Sequence, residues 1–197
     1  MNARTSLLAA LRAQSLEKVA LPPLSGNWIE YPDPFEQFRT ALTRAAGSVL
    51  CVAQADLRSV LADLPVVQQA RRCLSLVPDL AGNVNTPDEP HAFAELDLLV
   101  VAAAFGVAEN GAVWIDEHAT PVRAGLFLTQ HLIVLLERAT LVHNLHQAYA
   151  RLGADAGRTG YGCFISGPSK TADIEQALVV GAHGPRSLTA LVYSPVY

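Results

Sequence analysis

Apolar residues along this chain fall into short runs, and the segments between several of the runs carry helical spacing. Ser48 to Ala53, Arg72 to Val77, Leu96 to Ala103, Ala112 to Ile115, Gln130 to Leu136, Gly162 to Ile165 and Ser187 to Tyr193 read as strands. Asp56 to Leu64, with Asp56 as N-cap, and Thr140 to Leu152 read as helices. Pro78 to Pro90, which holds Gly82, Asn83, Asn85 and Pro87, reads as a loop. Short apolar runs alternating with helices predict a three-layer α/β/α sandwich with a mostly parallel sheet and helices on both faces.

An N-terminal helical extension precedes this pattern. Ala3 to Leu16 places Leu7, Leu8, Ala10 and Leu11 on one face, which predicts an amphipathic helix that packs on a neighbour rather than on its own core. Ala20 to Pro34 carries Pro22, Pro23, Gly26, Pro32 and Pro34 and reads as a linker without regular structure. Asp33 as N-cap and Pro34 at the first helical position then open a second helix, with Phe35, Phe38 and Leu42 on one side. The expected organisation is a helix and Pro-rich linker over residues 1–32 and an α/β domain over 33–197.

Composition narrows the environment of this fold. Hydrophobic residues make up 51% and charged residues 16%, and mean hydropathy is +0.25, which calls for a sheet buried on both faces or a surface reserved for a partner. A net charge of -4 and a pI near 5.8 give no basic field to draw nucleic acid or an anionic membrane, so no nucleic-acid partner is expected. The longest apolar run, Leu96 to Ala108, contains Asp97 and is too short to span a membrane. The N-terminal stretch has no signal-peptide core, and a cytoplasmic location is expected. Cys51, Cys73 and Cys163 lie far apart in apolar runs, as buried reduced thiols do. Their spacing suits neither an iron–sulfur cluster nor a structural zinc, and no metal is expected in this chain.

The densest polar motif runs from Cys163 to Pro185. Ser166-Gly167-Pro168-Ser169 stops a strand, and the following polar residues therefore sit at a strand's carboxyl end, where open α/β sheets bind ligands. One reading is a capped turn into a helix, with Ser169 or Thr171 as cap and Asp173 and Glu175 near the helix N-terminus. The other is a cradle for an anionic or carbonyl-bearing ligand, with Ser166, Ser169 and Thr171 as donors and Lys170 as a point charge. The chain has only two lysines, Lys18 and Lys170, and one of them falls here. His183, flanked by Gly181, Gly184 and Pro185, either serves a ligand as acid or base or simply pins a turn.

A second motif, Phe105 to Val113, joins two apolar runs through Asn110-Gly111, a strong turn signal. Glu109 is either solvated in that turn or a partly buried carboxylate of the kind used in catalysis. His143 and His146, three apart on the expected helix, would share a face, but no HExxH pattern accompanies them. His91, His118 and His131 have no companion pattern. There is no P-loop, no GxGxxG after a strand and no GxSxG, which disfavours phosphoryl transfer and the common serine hydrolases.

Gly106-Val107-Ala108-Glu109-Asn110-Gly111, together with Ile165-Ser166-Gly167-Pro168-Ser169-Lys170-Thr171-Ala172-Asp173-Ile174-Glu175 and Gly181-Ala182-His183-Gly184-Pro185, resembles the lactate-utilization protein C family, also called the LUD domain. The resemblance spans roughly residues 33–197. It implies a fold similar to the CoA-transferase and ribose-phosphate-isomerase superfamily. It also implies a part in L-lactate oxidation to pyruvate, alongside an iron–sulfur partner subunit that holds the clusters and another redox subunit. From residue type and placement, Glu109 or His183 is the expected proton-moving residue. Asn110, Ser166, Gly167, Ser169, Lys170, Thr171, Asp173 and Glu175 are expected around a small carboxylate. Two rivals stand beside this expectation. Glu109-Asn110-Gly111 resembles the signature of class I CoA-transferases, whose Glu forms a thioester. The other rival is a non-catalytic interaction module.

Overall fold

The structure, a computed structural model, describes residues 2–14, 26–80, 82–120, 123–153, 160–174 and 177–195. In chain order its elements are α1 (Ala3–Ala13), α2 (Pro34–Arg44), β1 (Ser48–Ala53), α3 (Leu57–Asp63), α4 (Pro65–Gln69), β2 (Cys73–Ser75), β3 (Leu98–Ala102), β4 (Phe105–Val107), β5 (Ala112–Asp116), α5 (Gly125–Leu128), β6 (His131–Glu137), α6 (Leu145–Leu152), β7 (Gly162–Ile165), β8 (Lys170–Ile174), β9 (Ala177–Val180) and β10 (Ser187–Ser194).

Five of the strands form a parallel sheet in the order β1-β10-β6-β3-β2. Strand periodicity sorts their side chains between two cores. Val52, Leu98, Val100, Ile133, Leu135 and Leu191 pack toward α3 and α4, where Leu57, Val60, Leu61 and Val67 meet them. The alternate residues, among them Leu99, Val101, Leu132, Val134, Leu136, Ala190 and Val192, pack against Phe35, Phe38 and Leu42 of α2. Burial of each such side chain contributes about 1.5–3 kcal/mol. Both faces of the sheet are thus apolar and covered, which accounts for the high hydrophobic fraction.

The second face has more than helices on it. β4, β5 and β7 form a small antiparallel sheet, order β4-β5-β7, whose Val113 and Ile115 enter the same core as α2. Its opposite side presents Phe105, Val107, Trp114 and Phe164 to Leu145, Ala148 and Leu152 of α6. The fold is therefore an α/β sandwich with an extra sheet inserted between the central strands and one helix. Gly106 makes the insertion close: a Cβ there would lie 2.8 Å from methyl carbons of both Leu136 and Leu141.

Several expected elements change form. Gly162–Ile165 and Ala112–Ile115 are strands, but of the antiparallel sheet rather than the central one. The expected helix over Thr140–Leu152 begins only at Leu145. A 3-10 turn, Arg138–Thr140, precedes it, and Val142 bridges to Val107. Asp56 makes no side-chain cap bond, because a 3-10 turn, Gln54–Asp56, leads into α3. Cys51 is exposed rather than buried, since β1 is an edge strand; Cys73 is buried and Cys163 is partly so.

α2 starts and stops as its sequence dictates. Asp33 Oδ1 accepts from the N–H groups of Phe35 and Glu36 at 2.9 and 3.2 Å, and Pro34 occupies the first turn. At the other end the Gly47 N–H donates to the Leu42 carbonyl and the Ala46 N–H to the Thr43 carbonyl, both at 2.9 Å, a Schellman pair. Ala46 holds the left-handed position of that motif at φ 65°, where glycine is the unstrained choice. α1 has no buried residue, and no helix among the described residues is long and apolar enough to cross a membrane.

Ala46→Gly is expected to raise the unfolding free energy by about 1 kcal/mol, because it relieves the left-handed strain at the α2 terminus. Urea titration of the two proteins measures the difference, and a loss of stability would contradict the assigned cap.

Candidate functional site

The two polar motifs come together at the carboxyl end of α2. The first is the β4–β5 turn, where the Asn110 side chain accepts from the Ala112 N–H at 3.0 Å and Gly111 adopts φ +67°. A Cβ on Gly111 would collide with the backbone of Ala41 and Leu42 in α2, so only glycine permits this approach. The second is the turn after β7. Gly167, at φ +75°, lies against the Ala45 carbonyl so closely that a Cβ would overlap it. Ser166 Oγ donates to the Asn110 carbonyl at 2.8 Å and joins one motif to the other.

The two charged residues of the corner face helix ends. Lys170 Nζ donates to the Ala45 carbonyl at the C-terminus of α2 and, at 3.3 Å, to the Ser166 carbonyl. Glu109 Oε2 accepts from the N–H of Leu145, the first residue of α6, at 2.9 Å. A cation at a helix C-terminus and an anion at a helix N-terminus both complement the macrodipole. Glu109 is exposed, so the expectation of a partly buried carboxylate gives way to a solvated, helix-capping one.

The remaining expected site residues spread outward from this corner. Lys170 to Ile174 form β8, paired antiparallel with β9 from Lys170↔Val180 onward, so the expected turn into a helix is a hairpin strand instead. Thr171 pairs with Val179, Asp173 lies on the same strand, and Glu175 lies outside the described residues. Ser169 is held by its backbone, which donates to the Pro185 carbonyl at 2.9 Å and accepts from the Gly181 N–H at 2.8 Å. The turn carrying His183 is thereby fixed beside Ser169, and His183 itself is exposed. β7 belongs to the antiparallel sheet, so this corner is not the carboxyl edge of the parallel strands. That edge carries a separate cleft of about 340 Å³ beside Gln54, Arg58, Asp79, Ala102 and Tyr193.

His143 and His146 do not pair, because His143 precedes α6. His143 Nδ1 accepts from the Tyr31 N–H at 2.9 Å, while His146 stacks on Trp28 with centroids 3.5 Å apart. Buried Asn144 caps α6 by accepting from the Gln147 N–H at 2.9 Å and donates to the Ile29 carbonyl at 2.9 Å. These contacts strap residues 28–31 onto the start of α6.

A larger cleft, about 650 Å³, opens at the amino edge of the parallel sheet, and sequence reasoning did not find it. It is lined by Asp97, Gln130, His131 and Arg186 beside Val66, Gln69, Ala70 and Ala94. Backbone N–H groups of Arg72 and Arg71 hold the Asp97 carboxyl below the usual range. Burial first, then the Arg186 charge, pushes the His131 imidazole below its ordinary 6.5. These residues come from the starts of three strands, so no linear spacing could have marked them.

Residues 90–193 match the model of the LUD domain. The chain belongs to the LUD domain family. Among its relatives, a lactate utilization protein C of Bacillus pumilus is 41% identical over 90 residues, covering 44% of this chain and 38% of that protein. The uncharacterized protein YkgG of Escherichia coli is 36% identical over 97 residues, 47% of this chain and 42% of that one. A lactate utilization protein C of Halalkalibacterium halodurans is 36% identical over 95 residues, 46% and 41% of the two chains. This chain thus spans less than half the length of the curated relatives it matches. The crystal structure of a DUF162 family protein from Deinococcus radiodurans superposes with a TM-score of 0.63 at 18% identity, covering 81% of this chain and 96% of that one, and shares the fold. The LUD match takes in β3 to β10 and therefore both polar motifs, while α1, α2 and β1 lie outside it.

Two outcomes test this geometry. Gly167→Ala should cost about 2 kcal/mol of unfolding free energy, since the new methyl meets the Ala45 carbonyl and the φ is left-handed. Lys170→Met should cost less, and an unchanged Gly167→Ala protein would reject the close docking. The folded state takes up the His131 proton less readily than the unfolded chain. The stability this provides is whole above pH 6.5 and is lost as pH falls through the depressed value. The stability gap between wild type and His131→Gln should therefore narrow between about pH 7.5 and about pH 5.5, read by urea unfolding at each.

Proposed function

We propose that this chain is a subunit of an L-lactate utilization system, working with iron–sulfur partner subunits to oxidise lactate to pyruvate. Membership of the LUD domain family, with relatives named lactate utilization protein C, is the observation that carries the reading. In that role Lys170, at the end of α2, is the contact for a small carboxylate; the Ser166 hydroxyl, whose hydrogen goes to the Asn110 carbonyl, holds the turn before it, and Glu109 faces the start of α6. An ammonium group has three donors, and Lys170 spends two of them on carbonyls, so one N–H is left for a ligand oxygen. Glu109 keeps Oε1 beyond its bond to Leu145 and can take a proton; His183 stands exposed on the neighbouring turn as the alternative. The hydroxyl of Ser169 and that of Thr171 flank the same hairpin. The clusters reside in the partner, and this chain supplies binding and proton transfer.

Tagged protein recovered from its native cell is expected to bring an iron–sulfur subunit with it and to support lactate-dependent reduction of an electron acceptor. Lys170→Ala and Glu109→Gln should keep the partner and lose roughly tenfold or more of that activity. Recovery without a redox partner, or variants that lose nothing, would reject the reading.

A further inference from the structure

Three adjacent strands start side by side at the amino edge of the central sheet, and polar residues stand at or just before their first positions. Asp97 precedes β3, Gln130 precedes and His131 begins β6, and Arg186 precedes and Ser187 begins β10. Backbone bonds lock these positions together. The His131 N–H donates to the Asp97 carbonyl at 2.9 Å, the Arg186 N–H to the Gln130 carbonyl at 2.7 Å, and the Gln130 N–H to the Leu96 carbonyl at 3.1 Å. The polar side of the cleft they line is therefore built on hydrogen-bonded strand starts rather than on free loops.

Each polar group there has a side left over. His131 Nδ1 lies 2.8 Å from Ser187 Oγ, which leaves Nε2 for the cleft. Asp97 Oδ2 accepts from the N–H groups of Arg71 and Arg72 at 2.8 and 3.0 Å, which leaves Oδ1. Among the described residues, the Arg186 guanidinium and the Gln69 and Gln130 amides have no hydrogen-bond or ion-pair partner. Arg186 is near enough to His131 to disfavour its protonation, and an anion between the two would reverse that repulsion.

We propose that this cleft binds a phosphate monoester of nucleoside-monophosphate size. The phosphate sits between Arg186 and His131 Nε2, a sugar hydroxyl donates to Asp97 Oδ1, and the ring lies on the wall of Val66, Ala70 and Ala94 with the amides of Gln69 and Gln130 at its edge. A phosphate monoester carries a charge of about −1.5 to −2 near neutrality, which the Arg186 guanidinium meets with a fixed charge and His131 with an N–H that the anion itself draws toward full protonation. The volume of about 650 Å³ falls in the range of cofactor-sized sites and far exceeds the needs of a three-carbon acid. The assignment stands on this geometry and is independent of the lactate reading.

Calorimetric titration of the full chain with AMP and with UMP tests it, beside adenosine and inorganic phosphate. At least one nucleotide should bind, and adenosine and phosphate should each bind at least about tenfold more weakly. Arg186→Gln, which removes the charge, and Ala94→Phe, which fills the wall from an exposed position, should each weaken the nucleotide by about tenfold or more. Arg4→Gln, an equal charge change on α1, should leave it unaltered. The thermal unfolding of each variant confirms that it is folded, and the His131 ring resonances of the wild type should move on nucleotide addition. The proposal falls if neither nucleotide binds at millimolar concentration, if Arg186→Gln binds as the wild type does, or if inorganic phosphate binds as tightly as the nucleotide.

Discussion

A parallel sheet that is apolar on both faces must be covered on both, and most of this structure follows from that requirement. The runs in β3, β6 and β10 alternate between two cores without a solvent face. On one side α3 and α4 suffice. On the other, α2 covers the region of β1, and the hairpin of β4 and β5 with β7 folds over the rest. That small sheet then has an apolar back of its own, Phe105, Trp114 and Phe164, which α6 buries in turn. Each layer creates the need for the next, and the polar corner lies where α2 meets the inserted sheet.

The residues that make the two motifs distinctive are tied closely to architecture. Gly111 and Gly167 allow two turns to touch the backbone of one helix, Ser166 joins the turns, and Lys170 and Glu109 answer the dipoles of α2 and α6. Removing either charge therefore disturbs a helix end as well as any ligand contact, and stability and activity must be read together at these positions.

Strand positions and the start of α2 were legible because apolar runs and the Asp33-Pro34 pair act locally. Sheet membership was not. Gly162–Ile165 has the same run of apolar residues whether it joins a parallel or an antiparallel sheet, and only its pairing with β5 decides. Thr171 and Ile174 are β-branched, and that strand preference, together with pairing to β9, outweighed the capping residues that pointed to a helix. The corner itself was legible as residues but not as a geometry, since its scaffold is α2, more than a hundred residues upstream of Lys170. The amino-edge cleft was invisible for a similar reason: Asp97, His131 and Arg186 are neighbours only because three strands begin at one level.

The strand order β1-β10-β6-β3-β2 has a consequence for how the chain acquires this shape. β1 comes early in the sequence, yet among the described residues its neighbour in the sheet is β10, with Ser48 beside Thr189 and Ala53 beside Ser194. While the chain emerges from the ribosome, β2, β3 and β6 can pair as they appear, but β1 has no template until β10 is made. Through that interval α2 and an unpaired apolar strand remain without their dock. Closure of the sheet at this edge is a long-range pairing, in which β10 places β1.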